Sequence, residues 1–164
     1  MIKIGLISDT HNYLDEQVFN HFKNCDEIWH AGDLGTMEIA SALASFKPFR
    51  AVYGNIDGPD IQQVYPEKLR WLCENVEIFM THIGGYPGRY TAWVKKELTE
   101  HPAQLFISGH SHILKVLFDQ KLNCLHMNPG AAGKQGWHTI RTIIRFSIDG
   151  GSIKDCEVIE LGKR

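Results

Sequence analysis

Two rhythms of apolar positions run along the chain. Residues 3–8 form a short isoleucine-rich run that ends at a polar cluster, the mark of a buried strand. Leu14, Val18, Phe19 and Phe22 then recur at helical spacing, predicting a helix over 14–23. Residues 27–30 read as a second strand. Ile39, Leu43 and Phe46 share one face of a helix predicted over 36–46, with Thr36 as its N-cap and Pro48 as its stop. Residues 49–53 are a third strand. Residues 54–66 hold Gly58, Pro59 and Pro66 with few apolar side chains, and read as a loop. The order β-α-β-α-β predicts parallel strands with right-handed crossovers.

The rhythm changes after residue 66. Residues 68–72 and 76–81 read as a strand pair, 90–100 as a helix ending before His101-Pro102, and 105–108 as another buried strand. Residues 115–119, 122–128, 139–148 and 152–161 alternate apolar and polar positions, and Asp149-Gly150-Gly151 is a hairpin signal. Many strands with few helices to cover them predict an α/β (α+β) fold: two mixed β-sheets packed as a sandwich, with helices on the outer faces. No repeat or linker interrupts the pattern, so a single domain over 1–164 is expected.

Composition narrows the possibilities. A chain of 164 residues buries about 70% of its extended surface on folding, enough for a core without staples. The four cysteines, Cys25, Cys73, Cys124 and Cys156, form no C-x-x-C pair, and are expected to be reduced thiols, most of them core fillers, in a cytoplasmic protein. The opening apolar stretch is too short for a signal peptide, and no run approaches a membrane span. Lys plus Arg is 17 against 19 for Asp plus Glu. That balance argues against a nucleic-acid surface or a binder of anionic membranes, and leaves small anionic substrates open.

The polar residues matter because of where they fall. Asp9 and His11 follow the first predicted strand, Asp33 the second, Asn55 the third, His82 the 76–81 strand, and His110 and His112 the 105–108 strand. Carboxyl ends of parallel strands meet at one edge, where α/β proteins bind ligands. One rim thus collects two carboxylates, one amide and four imidazoles. Nitrogen and oxygen donors without thiolate suit Mn²⁺, Fe²⁺, Zn²⁺, Ni²⁺ or Co²⁺. Seven donors exceed one tetrahedral site and fit two divalent ions sharing a carboxylate, an arrangement that clamps a phosphoryl oxygen and holds a hydroxide.

Asp9-x-His11, Gly32-Asp33, Gly54-Asn55-x-Asp57, Thr81-His82 and Gly109-His110-x-His112, in that order, resemble the calcineurin-like metallophosphoesterase superfamily. The short length and Asn128-Pro129-Gly130 narrow the resemblance to its small phosphodiesterase family, which is also similar to the eukaryotic retromer subunit. The resemblance spans residues 2–160. It implies one metal on Asp9, His11, Asp33 and His112 and another on Asp33, Asn55, His82 and His110, with Asp33 bridging. It further implies catalytic work for Asp33, Asn55, His82 and Asp57 (the last alternatively a supporting carboxylate or a plain loop residue), two transition-metal ions, Mn²⁺ first among them, and a small phosphate-ester substrate. Two positions depart from the pattern: Ile56 stands where many members carry a histidine that protonates the leaving group, and Ala131 replaces a serine.

Taken singly these blocks are weak. D-x-H is usually a turn or cap and G-N-x-D usually a turn; specificity lies in five ordered blocks, each at a strand end. His21, His30, His101, His126 and His138 lie outside the motifs and are expected to be structural, with His30 also a candidate to orient Asp33. Trp71, Trp93 and Trp137 read as packing residues, facing the core or a partner. Hydrolysis of a phosphodiester by the bridging hydroxide is the leading expectation. A phosphomonoesterase or pyrophosphatase on the same site is the alternative, and a non-catalytic scaffold ranks last because all seven positions are filled. A homo-oligomer is left open.

Overall fold

The computed structural model describes residues 1–164. The chain forms β1 (Ile2–Ile7), α1 (Gln17–Phe22), β2 (Glu27–His30), α2 (Met37–Phe46), β3 (Phe49–Ala51), α3 (Pro59–Val64), β4 (Lys68–Cys73), β5 (Val76–Thr81), α4 (Ala92–Glu100), β6 (Leu105–Ile107), β7 (Lys115–Asp119), β8 (Cys124–Asn128), β9 (Ile140–Asp149) and β10 (Ser152–Lys163). Two mixed five-stranded sheets result, ordered β10-β9-β1-β2-β3 and β4-β5-β6-β8-β7. β1, β2 and β3 run parallel in the first sheet, and β5, β6 and β8 in the second.

The sheets pack face to face because alternate residues of their central strands are apolar. Ile4 and Leu6 of β1, Ile144 and Phe146 of β9, Ile78 and Met80 of β5, and Leu105 and Ile107 of β6 share one buried cluster. Trp29 meets Trp71 edge-on at 4.8 Å, placing β2 opposite β4. The opposite faces are covered by helices. Val18 and Phe22 of α1 and Ile39 and Leu43 of α2 pack on Ile7 and Ile28, while Val94 and Leu98 of α4 pack on Phe79 and Phe106.

Three departures from the sequence reading have local reasons. The segment read as a loop over 54–66 contains α3. Pro59 occupies the first helical turn, where its missing N–H costs nothing, and the six residues bury only Ile61, too few to show a period. α1 begins at Gln17 rather than residue 14, because Asp15 accepts the Gln17 amide at 2.9 Å and ties to the Arg141 guanidinium at 2.9 Å. Thr36 flanks α2, but its hydroxyl donates to Asn12 Oδ1 at 2.6 Å instead of capping the helix. Cys25, Cys73 and Cys124 are buried free thiols and Cys156 is exposed. No helix is long and apolar enough to cross a membrane.

Candidate metal centre

The carboxyl ends of β1, β2, β3, β5 and β6 come together at one rim of the sandwich. Sheet one contributes Asp9, His11, Asp33 and Asn55; sheet two contributes His82, His110 and His112. Donor atoms fall into two groups, Asp9–His11–His112 and Asp33–His82–His110, within each of which they lie inside 4.8 Å of one another. Asn55 joins the second: its Oδ1 is 3.1 Å from His82 Nε2 and 3.0 Å from His110 Nδ1.

Each carboxylate divides its oxygens in the same way. Asp9 Oδ2 accepts the Ser8 hydroxyl at 2.6 Å and the His110 amide at 3.1 Å. Asp33 Oδ1 accepts the Ile56 amide at 3.1 Å. That leaves Asp9 Oδ1 and Asp33 Oδ2 facing inward. His112 Nε2 is 3.1 Å from Asp9 Oδ1, and His82 Nε2 is 3.1 Å from Asp33 Oδ2. His11 Nε2 lies between the groups, 3.3 Å from Asp33 Oδ2 and 3.7 Å from Asp9 Oδ1.

The tautomer of His82 shows what the cluster requires. Its Nδ1 sits 2.7 Å from the Ala31 carbonyl oxygen, which can only accept, so Nδ1 carries the hydrogen. In the neutral ring Nε2 therefore points a lone pair at Asp33 Oδ2 and Asn55 Oδ1. Acceptors facing acceptors are held together only by a positive charge between them. Asp9 Oδ1 and His11 Nε2, both buried, have no hydrogen-bond partner at all. Divalent cations fit this donor set, and a carbonyl behind the ligating imidazole is the usual support of a metal-bound histidine.

Without metal, protons take that place. Burial opposes ionisation of Asp9 and Asp33, but the surrounding imidazoles outweigh it and hold both carboxyls well below the usual carboxylate range. The same carboxylates push His11 up to about 9. For His82 burial acts downward, yet Asp33 and Asp9 prevail and its pKa rises.

The backbone bends sharply to build the rim. Asp9, His11, Asp33, His110 and His112 all have positive φ, between 45° and 70°, a region that non-glycine residues enter at a cost. Close approach also dictates two glycines. A Cβ on Gly54 would collide with Asp33 Oδ1, and one on Gly109 would strike Ser8 Oγ and Asp9 Oδ2.

Other residues act as braces. Asp57, expected from the sequence as a catalytic carboxylate, turns away from the rim: it is buried and accepts the amides of Leu34 at 3.2 Å, Gly35 at 2.9 Å and Gly54 at 2.8 Å. It clamps the Asp33 loop to the Asn55 loop. His30 does not touch Asp33; its Nδ1 accepts the Gly32 amide at 3.1 Å and its Nε2 meets Thr10 Oγ1 at 3.1 Å. Asn128 donates to the Gly109 carbonyl at 3.0 Å and Ser111 Oγ at 3.1 Å, bracing the His110–His112 turn. Ala131 is fully buried. Ser8 and the Ala31 carbonyl escaped the sequence reading, since nothing in their local pattern marks them; His138, expected to be structural, holds its Nε2 2.8 Å from the Gly133 carbonyl with its ring 5.2 Å from that of His112.

A family model for the calcineurin-like phosphoesterase superfamily domain matches residues 2–151. The chain belongs to that superfamily. A protein of Methanothermobacter thermautotrophicus named "Probable metallophosphoesterase" is 31% identical over 97% of this chain and 92% of its own length. A phosphodiesterase of Methanocaldococcus jannaschii is 24% identical over 79% of this chain and 83% of its own. The fold matches a novel archaeal phosphodiesterase at a TM-score of 0.78, with 22% identity over 98% of this chain and all of that one. It also matches zinc-complexed Vps29 of Entamoeba histolytica at 0.74, with 17% identity over 97% of this chain and 99% of that one. Membership makes the chain a metallophosphoesterase, and divalent metal ions go with the superfamily.

Proposed function

We propose that the protein is a phosphodiesterase that uses two divalent transition-metal ions, Mn²⁺ being the first to test. One ion would be held by Asp9, His11, Asp33 and His112, the other by Asp33, Asn55, His82 and His110, with Asp33 shared. The observation that carries this reading is the pair of buried polar atoms without a hydrogen-bond partner, Asp9 Oδ1 and His11 Nε2, beside His82 Nε2, whose lone pair faces Asp33 Oδ2 and Asn55 Oδ1. When bound, such ions supply positive charge for the phosphoryl oxygens and lower the pKa of water.

The chain's own residues position that chemistry. Ser8 and the His110 amide orient Asp9, the Ile56 amide orients Asp33, and the Ala31 carbonyl fixes the His82 tautomer. The side chain at position 56 bears on substrate choice. Ile56 is 46% exposed and offers no proton to a departing oxygen. A diester whose leaving alcohol is acidic needs little such help, whereas an alkyl monoester needs much. The test is a panel of phosphodiesters and monoesters assayed with Mn²⁺, Fe²⁺, Zn²⁺, Ni²⁺ and Co²⁺, with metal content measured in parallel. Two ions per chain and faster turnover of aryl diesters are expected. Saturation at one ion, or faster turnover of monoesters, overturns the proposal.

A further inference from the structure

We infer that the recess beside Asn55 and His82 holds a flat, uncharged aromatic substituent of the phosphate, of the nucleobase class, stacked against Trp93; this rests on the phosphodiesterase reading above. A cavity of about 590 Å³ between Tyr90 and Leu122 touches none of the candidate ligands. A smaller recess of about 290 Å³ does: Asn55, His82, Tyr53, Ile83, Trp93 and Glu67 are among the residues that line it. It lies at the low end of the size range of small-molecule sites, room for one ring system with part of its sugar.

Its lining specifies the chemistry. Trp93 and Ile83 are each 40% exposed next to the candidate metal centre, large apolar groups left in water where substrate must arrive. The Trp93 ring is already held, edge-on to Phe79 at 6.1 Å and under the Lys68 ammonium at 5.4 Å, so stacking on it requires little further ordering. Glu67 is the only acid among the lining residues, and no lysine or arginine is among them. Glu67 offers an exocyclic amino group an acceptor. In-line displacement sends the leaving group away from the attacking oxygen, out of the rim. A recess lined by Asn55 and His82 adjoins the candidate metal centre, and we take its occupant to be the substituent that stays on phosphorus.

Products report this without turnover. Calorimetric titration of the metal-loaded protein with adenosine 5′-monophosphate and with methyl phosphate compares the same phosphate with and without the ring. The nucleotide is expected to bind roughly 5- to 100-fold more tightly, the range of one stacked base. In Trp93→Leu, which refills the place against Phe79 without a stacking face, the ratio should fall to within about twofold at unchanged metal content, and Trp93→Phe should restore most of it. Equal affinities in the wild type, or a ratio that survives Trp93→Leu, overturns the subsite while leaving the phosphodiesterase reading intact if aryl diesters are still hydrolysed. A metal-loaded wild type that hydrolyses no ester overturns both.

Discussion

Asp33 and Asp57 show how differently two carboxylates in neighbouring loops are used. Asp33 keeps one oxygen for the Ile56 amide and turns the other to His82 and His11. Asp33→Asn keeps the shape and removes the charge that balances two cations. Turnover should fall by roughly a hundredfold or more, with fewer than two ions retained in elemental analysis. A variant that keeps both ions and normal turnover would remove Asp33 from the shared position. Asp57 spends both oxygens on three backbone amides. Asp57→Ala leaves those amides unpaired at about 1–3 kcal/mol each. The midpoint of urea unfolding should drop in the metal-free protein too, a loss that a catalytic carboxylate would not produce. Ile56 invites the opposite experiment. A positioned imidazole contributes about 10² to 10⁴ in rate when a proton must reach the leaving group. Ile56→His should therefore flatten the dependence of rate on leaving-group pKa and raise monoester turnover; a flat wild-type line would show that another donor already serves. Sequence motifs displayed the seven candidate donors because acids, amides and imidazoles at strand ends are visible as letters. They set Asp33 apart from Asp57 as the shared ligand, but could not tell a catalytic Asp57 from a bracing one, since which way a carboxylate turns depends on amides about twenty residues away.

At the scale of elements, β2 and β8 each bury a histidine that has nothing to do with ligation. His126 of β8 stacks on Phe106 at 5.2 Å, and its Nδ1 donates to the Phe106 carbonyl at 3.1 Å. Burial holds its pKa down at about 4, and that of His30 of β2 at about 3. Both rings are neutral when folded and take up protons when unfolded below the free value of 6.5. Each pKa is depressed, so its contribution is complete above 6.5 and is lost as pH falls toward 4 for His126 and 3 for His30. For His126 the loss amounts to roughly 3 kcal/mol. His126→Gln, compared with wild type by unfolding at pH 7 and pH 4.5 in metal-free protein, should show the smaller acid loss; identical losses would place the sensitivity elsewhere. Element identity was legible wherever apolar periodicity ran long enough, as in β5, α2 and β9. It failed for α3, whose single buried residue, Ile61, is too little to register as a period. It could not reveal that β10 continues to Lys163, because its register shifts at two points break the alternation.

For the whole molecule, the decisive fact is that the candidate donors come from both sheets. Asp9, His11, Asp33 and Asn55 hang from the ends of β1, β2 and β3; His82, His110 and His112 hang from β5 and β6. The contacts that cross between the sheets at this rim converge on the candidate donors themselves: His82 meets the Ala31 carbonyl, Asp33 and Asn55, the His110 ring meets Asn55 and its amide Asp9, and His112 meets Asp9. Metal ions shared between the two sets of loops would therefore act as cross-links between the sheets. Binding to the folded state alone stabilises by about 2.7 kcal/mol per site at a hundredfold excess over Kd. In a chain of this size each kcal/mol raises Tm by roughly 2–4 °C. Filling one site should thus raise Tm by roughly 5–10 °C, and chelation should reverse it. Amide hydrogen exchange locates the effect. On chelation, faster exchange is expected in 9–12, 33–35, 54–57, 82–84 and 109–112, while the strands of the central cluster, β1, β5 and β9, stay protected, because their apolar contacts do not involve the rim. A uniform rise in exchange would mean that the ions hold the whole sandwich together. No change in Tm would mean that these residues gain nothing from metal in the folded state, and the acceptors that face one another across the rim would then have to be held together by protons alone.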